Sequence, residues 1–396
     1  MNIAGILGQL RRWPDVEAPN LQAYDGADRL LLERAAECLG ILLADGAARD
    51  SVVVIGDRYG ALTLPLLAAG NADADPDRLG TVRVWQDLAS GQAALRANAE
   101  RLDLKGFEQV PPAEDSPGLY GPDLLAGARL VLLRLPKNQA DLAEAACAIA
   151  RYADPGVVVL AAGMVKHMTL SMNGVLAESF GSVQAGLAKG KARVLTVTGA
   201  LTGPEAEAQG PERRRHADLG LDVIAHGAVF AGTKVDIGTR YLLEFLPQMA
   251  RAARIVDLGC GSGVLATLAA RDQPGATVLA TDVSAAAVRS ARLTAEANGV
   301  GDRVRAVHAD ALNGFAPASA GLILLNPPFH LGHSVHAGAA HRLFEAAAGI
   351  LAPGGELWAV WNSHLGYVPA LERAVGPTRV MGRNAKFTVT RTVRKQ

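Results

Sequence analysis

Two short stretches of this chain carry residue types and spacings suited to chemistry. The first, Asp257-Leu258-Gly259-Cys260-Gly261-Ser262-Gly263, follows the apolar run Arg254-Ile255-Val256 and opens an Ala/Leu-rich segment of helical type. Glycines at a strand-to-helix turn let backbone amides approach a ligand that any Cβ would hold off. A dinucleotide fingerprint would need a glycine at 264, where Val264 stands. The spacing is instead G-x-G-x-G with an acid two places ahead. That variant suits S-adenosylmethionine, whose methionine end carries an ammonium group and no pyrophosphate. Asp282 closes the next apolar run, 25 residues beyond Asp257, and can accept from both hydroxyls of a ribose. Asp310 closes Val307-His308-Ala309 and is placed to accept from an adenine amino group. Each acid alone could simply cap the helix that follows; three at successive strand ends beside one glycine turn favour the ligand.

The second stretch is Asn326-Pro327-Pro328-Phe329, after the apolar run Leu322-Ile323-Leu324-Leu325 and 67 residues beyond Gly259. The Asn326 amide oxygen and the Pro327 carbonyl offer two acceptors, the second in a rigid direction. Aimed at one planar NH2 group, they hold its hydrogens and leave the nitrogen lone pair free to meet a methyl donor. This is orientation work with little need for a general base. Phe329 offers a flat face for stacking, and Asn326 counts as a neighbour of the cofactor as well. The bland alternative is a Pro-Pro turn that ends a strand. A pyrimidine-carbon methylation would need a nucleophilic cysteine, and neither Cys38 nor Cys147 lies beside such a loop; Cys260 serves as a small residue inside the turn.

The elements that must position these residues occur twice, about 195 residues apart. Val52-Val53-Val54-Ile55 enters Gly56-Asp57-Arg58-Tyr59-Gly60, as Arg254 to Leu258 enters the later glycine turn; Arg129 to Pro136 parallels Gly321 to Pro328; Gly181 to Thr198 parallels Gly376 to Val393. Apolar runs alternate with Ala-rich helical stretches in each half, the pattern of a mostly parallel sheet covered by helices on both faces, with an antiparallel pair at the C-terminal edge. Thr202 to Leu221 is rich in Pro, Gly and charge and reads as a linker. The expected organisation is an α/β chain with two tandem domains from a duplication: 1–205, a linker at 206–220, and 221–396.

Composition narrows the field. The 396 residues are 49% hydrophobic, with 39 basic and 39 acidic side chains and no net charge, which excludes both intrinsic disorder and a wholesale polycation. Three scattered cysteines make neither a disulfide framework nor a zinc spacing. No apolar run is long enough to span a membrane and no signal peptide is apparent, so a cytoplasmic protein is expected. Aromatic residues at 5% argue against a multi-base stacking platform.

With these motifs the chain resembles the two-domain ribosomal RNA guanine-N2 methyltransferases over nearly its whole length. The resemblance also rests on Phe230 to Thr239 (FAGTKVDIGT), His330 and Lys386-Phe387-Thr388-Val389. It implies two class I, Rossmann-like methyltransferase domains, the first degenerate, without cofactor, and engaged in RNA recognition. Gly56 to Gly60 lacks the middle glycine and Arg134-Leu135-Pro136-Lys137 replaces the acceptor motif, in keeping with that. Leu21 to Asp28 and Arg134 to Lys137 lean toward the large-subunit enzymes. Carried over, the resemblance puts Asp236 and Gly238 near the cofactor and Asn326, Pro327, Pro328 and Phe329 around the guanine; Ala231 to Lys234 depart from the usual residues and leave that loop's role open.

Among further candidates, the resemblance implies that His330, His333, His336 and His341 belong to a loop over the site rather than a metal centre, with His330 against the base or its phosphate. Arg379, Arg383 and Lys386 belong to a C-terminal stretch without acids, equally readable as a phosphate track or as a charge-protected edge strand. Lys189 and Lys191 lie in the matching strand of the first half, whereas Arg213-Arg214-Arg215 reads as solvated. The expected activity is S-adenosylmethionine-dependent methylation of a guanine N2 amine in rRNA, with rRNA as partner, no metal, and a monomer whose two halves form a pseudo-dimer. The alternatives are a small-subunit enzyme, a glutamine-amide or adenine N-methyltransferase, and a non-catalytic, cofactor- and RNA-binding assembly factor.

Overall fold

The computed structural model describes residues 3–44, 50–70, 80–110, 120–201, 210–311, 315–327 and 335–395. The chain divides into two compact units, Met1–Gly210 and Pro211–Gln396. In the first unit the strands are β1 (Val52–Ile55), β2 (Val82–Trp85), β3 (Phe107–Gln109), β4 (Leu130–Arg134), β5 (Val158–Met164), β6 (Phe180–Ala185) and β7 (Ala192–Ala200). They form one sheet in the order β3-β2-β1-β4-β5-β7-β6, with β7 antiparallel to both of its neighbours.

The second unit begins with a hairpin, β8 (Glu212–His216) and β9 (Leu221–Ala225). Its main sheet contains β10 (Arg254–Leu258), β11 (Thr277–Asp282), β12 (Val304–His308), β13 (Ala320–Leu325), β14 (Leu351–Asn362), β15 (Thr378–Arg383) and β16 (Phe387–Val393). The order is β12-β11-β10-β13-β14-β16-β15, again with the last three antiparallel. The two sheets share one α/β topology.

Burial on both faces explains the near-continuous apolar runs. Leu322, Ile323, Leu324 and Leu325 of β13 are all fully buried. Along β14, Trp358 and Val360 point into one core, while Leu357, Ala359 and Trp361 point into the other. The helix Ala285–Ala297 starts at Ser284, whose hydroxyl accepts from Ala287 N, and buries Ala287, Ala291 and Ala295 so that it packs closely on the sheet.

The hairpin corrects the expected linker. Residues 202–209 lie outside the described residues, but 212–220 form β8 and a 3₁₀ turn within the C-terminal unit rather than a tether. Leu221, Val223 and Ala225 alternate inward along β9. The backbone groups of that strand are satisfied by a polar ladder on one face of the helix Ala285–Ala297 and its cap. Asp222 N donates to Asn298 Oδ1, Ile224 N to Thr294 Oγ1 and His226 N to Ser290 Oγ, each at 3.0 Å. Four residues of helix rise about 6 Å, close to two residues of strand, so positions 290, 294 and 298 match 226, 224 and 222. Across the hairpin Arg213 and Arg215 meet Asp222 at 3.5 and 2.7 Å, which leaves the arginine run exposed and partly paired.

Glu356 on β14 is buried, yet it accepts from the Trp358 indole (2.7 Å), Arg391 (2.6 Å) and Ala250 N (3.3 Å). Glu356→Ala would strand the buried indole N–H, while half-exposed Arg391 can rehydrate. Denaturant titration should show a loss of about 2–3 kcal/mol, partly recovered by Glu356→Gln.

Candidate active site

The glycine turn leaves β10 and enters the helix Val264–Asp272. Gly259, Gly261 and Gly263 all have positive φ (78°, 52° and 78°). A Cβ built on Gly259 or Gly261 would meet nothing among the described residues within 4 Å, whereas one on Gly263 would lie 2.6 Å from Ala291 Cα. Two glycines therefore leave open space that a side chain would fill, and the third permits close helix packing. The Gly259 and Cys260 amides donate to Thr281 O at 2.8 and 3.0 Å, tying the turn to the end of β11. Burial pushes the Cys260 thiol well up, so it is a neutral, small side chain.

Asp257 lies beneath the turn at 1% exposure. Its Oδ2 accepts from Ala266 N at 2.9 Å, and its Oδ1 has no partner among the described residues. Burial pushes the carboxyl up to about 7, opposed by the Ala266 amide and reinforced by Asp282. An acid with a raised folded pKa stabilises the fold below its unfolded value near 4 and loses that contribution as pH rises through 7. Asp257→Asn keeps an oxygen for Ala266 N and removes the buried charge. Chemical unfolding from pH 5 to 8 should therefore show a flatter profile, with the variant gaining on wild type by on the order of 2–4 kcal/mol at pH 8.

Asp282 is the last residue of β11. Its Oδ1 accepts from Ser284 N (2.9 Å) and its Oδ2 from Gly261 N (3.0 Å), so it braces the turn as well as facing the same sheet end. Asp310 stands two residues beyond the end of β12, half-buried in a bend.

Asn326 immediately follows β13. Its Nδ2 donates to Asp236 Oδ2 (3.0 Å) and to Thr239 Oγ1 (2.9 Å). Asn326 Oδ1 is buried and has no partner among the described residues. Turning the amide over would set its oxygen against a carboxylate oxygen, so the network fixes which atom is the acceptor. Asp236 is itself fixed as the N-cap of the helix Ile237–Leu243, accepting from Gly238 N (2.8 Å) and Thr239 N (3.2 Å). Gly238 also lacks the side chain that would crowd the Phe387 ring, 3.2 Å from a Cβ built there. Pro327 is buried; Pro328, Phe329, His330 and His333 lie outside the described residues. His336 and His341 belong to the helix Val335–Ile350 rather than to a loop, and His341 is exposed, with its ring 6.2 Å from that of Phe344.

Of the basic candidates, Arg379 and Arg383 lie on β15, the edge strand, and Lys386 lies in the turn before β16. Arg383 Nε donates to Thr388 Oγ1 (3.2 Å), and Lys386 Nζ sits 6.0 Å from the centre of the Phe387 ring. Arg391 and Arg394 are engaged inside the unit, by Glu356 and Leu351 O. Thr239 has no role in the sequence reading beyond closing the Phe230 to Thr239 stretch that carries the resemblance.

Comparison with known proteins adds the family. Residues 2–200 match the RLMG N-terminal domain and residues 220–391 the methyltransferase small domain. The ribosomal RNA large subunit methyltransferase G of Streptomyces avermitilis is 36% identical over 395 residues, covering 98% of this chain and 97% of that one. Its namesake from Pseudomonas paraeruginosa is also 36% identical, with 96% of each chain covered. The chain belongs to the ribosomal RNA large subunit methyltransferase G family. A solved 16S rRNA N2 methyltransferase of T. thermophilus, in complex with AdoMet and guanosine, shares the fold: TM-score 0.70, 22% identity, 96% of this chain and 97% of that one. Membership in the methyltransferase G family agrees with the large-subunit lean of Leu21 to Asp28 and Arg134 to Lys137.

The first unit of this methyltransferase G relative has a cleft of about 540 Å³ at the matching sheet end. Strand register makes the comparison position by position. Ile55 pairs with Trp85 and Leu133, as Leu258 pairs with Thr281 and Leu325. Val54 thus stands where the second unit has Asp257, Gln86 where it has Asp282, and Arg134 where it has Asn326. Asp57 serves the helix start instead, its Oδ2 accepting from Leu62 N (3.1 Å) and Thr63 N (2.8 Å).

Proposed function

We propose that the C-terminal unit transfers the methyl group of S-adenosylmethionine to the exocyclic N2 amine of one guanine in large-subunit rRNA. Asn326 Oδ1 carries this reading: among the described residues it is a buried acceptor without a donor, on a carboxamide whose own hydrogens are taken by Asp236 and Thr239. Such an oxygen costs about 1–3 kcal/mol unless a donor arrives, and the NH2 group of a flat acceptor is that donor. The Pro327 carbonyl is the second acceptor, on a residue whose ring fixes the local backbone.

The open space at Gly259 and Gly261 fits the cofactor, with Asp282 on its ribose and Asp310 on its adenine. When bound, S-adenosylmethionine supplies a methyl group activated by a sulfonium. Asn326 and Pro327 hold the amine's two hydrogens so that its lone pair faces that methyl, which is proximity and orientation rather than base catalysis. In this reading Phe329 is assigned to stack on the extruded base, His330 to contact the base or its phosphate, and Lys386, Arg383 and Arg379 to contact the RNA backbone. Guanine and large-subunit rRNA come from the relatives' names and from the T. thermophilus complex.

Under the same reading, the N-terminal unit is a degenerate copy from a duplication. The shared strand order supports the duplication. The replacement of three site positions by Val54, Gln86 and Arg134 supports loss of the cofactor, leaving residues 1–205 a structural and RNA-recognising role. The test is incubation with labelled S-adenosylmethionine and either naked large-subunit rRNA or assembled particles, followed by nucleoside analysis. Label should appear in N2-methylguanosine. Label in adenosine, or in protein, would contradict the reading.

A further inference from the structure

We infer that Thr239 is a positioning residue for the reaction, locking the Asn326 carboxamide in the orientation that presents its oxygen to the incoming amine; this rests on the proposed acceptor role of Asn326. Both hydrogens of Asn326 Nδ2 are engaged, one by Asp236 Oδ2 at 3.0 Å and the other by Thr239 Oγ1 at 2.9 Å. Asp236 alone would disfavour the flipped amide but leave one hydrogen unheld. The Thr239 hydroxyl closes the bracket, and Thr239 is itself 9% exposed, so it acts through Asn326 rather than on substrate.

The first unit supports the pairing independently. Asp25 caps the start of the helix Gly26–Ala44, with Ala27 N at 2.8 Å, as Asp236 caps the helix Ile237–Leu243. The residue three places on, Asp28 there and Thr239 here, reaches the residue that closes the central strand. Arg134 is held by both Asp25 oxygens at 3.0 and 2.9 Å and by Asp28 at 3.3 Å. One frame thus carries Asp–Thr–Asn in one unit and Asp–Asp–Arg in the other. The third residue after the cap differs together with the strand-end residue, as two groups in direct contact should.

The test uses the full chain with Thr239→Val, which matches threonine in shape but lacks its hydroxyl, and Thr239→Ser, which restores it. The readouts are kcat and KM for large-subunit rRNA, Kd for S-adenosylmethionine, and Tm. Thr239→Val should lower kcat about 10–100-fold, with KM and Kd changed no more than about threefold, since misplacement on this scale costs rate rather than binding. Thr239→Ser should recover most of that loss. In the Asn326→Ala background Thr239→Val should add nothing, because the two residues act as one unit. If Thr239→Val fails to fold, Thr239→Ala replaces it in the same comparison. Full kcat in Thr239→Val beside an inactive Asn326→Ala would overturn this inference alone, as would Thr239→Ser as impaired as Thr239→Val. An active Asn326→Ala would overturn the acceptor reading and the inference with it.

Discussion

Asn326→Ala is expected to lower the rate of methyl transfer by about 10²–10³-fold or more while leaving S-adenosylmethionine affinity within about threefold. Removal of the carboxamide takes away one of the two acceptors proposed to orient the amine, an interaction made only as the reacting groups meet. Rate should therefore fall much more than binding. The side chain bridges Asp236 and Thr239 but does not brace the glycine turn, which is tied to Thr281 and Asp282. Single-turnover assays with calorimetry of the cofactor separate the two effects. Lost cofactor affinity with retained turnover would contradict the assignment.

Two substitutions in the glycine turn should fail in opposite ways. Gly261→Ala puts a methyl into open space at φ 52°, so its stability cost is the left-handed backbone alone, about 1 kcal/mol. That methyl occupies the space proposed for the cofactor, and affinity should fall at least tenfold, roughly 1.4 kcal/mol. Gly263→Ala instead drives a Cβ to 2.6 Å from Ala291 Cα, where backbone has to move. Backbone strain and overpacking together should cost about 3 kcal/mol or more, a fall in Tm of roughly 6–12 °C. Thermal denaturation beside cofactor titration distinguishes them. Equal stability of the two variants would show that the turn does not pack as described.

Much of this arrangement was legible in the sequence for definite reasons. The central strands are buried on both faces and so read as unbroken apolar runs, and glycine at 259, 261 and 263 is demanded by φ and by Ala291. Asn326 was legible because few residue types offer an acceptor at a strand end next to proline. Thr239 was not, since its role depends on a helix start and a strand end 87 residues apart meeting in space. The Ser290, Thr294 and Asn298 ladder was equally hidden: its rungs look like ordinary helix-surface residues, and the strand they satisfy begins inside a charge-rich stretch. Asp257 is read from the sequence as one of three acids that favour the cofactor, whereas burial places it beneath the turn, where it holds Ala266 N.

Methylation of a guanine N2 in large-subunit rRNA is tested most directly by mass-spectrometric mapping of rRNA from cells lacking this protein. One N2-methylguanosine of the large subunit should disappear and return with the wild-type chain, but not with Asn326→Ala. An unchanged set of large-subunit marks, or a mark lost from the small subunit instead, would contradict it.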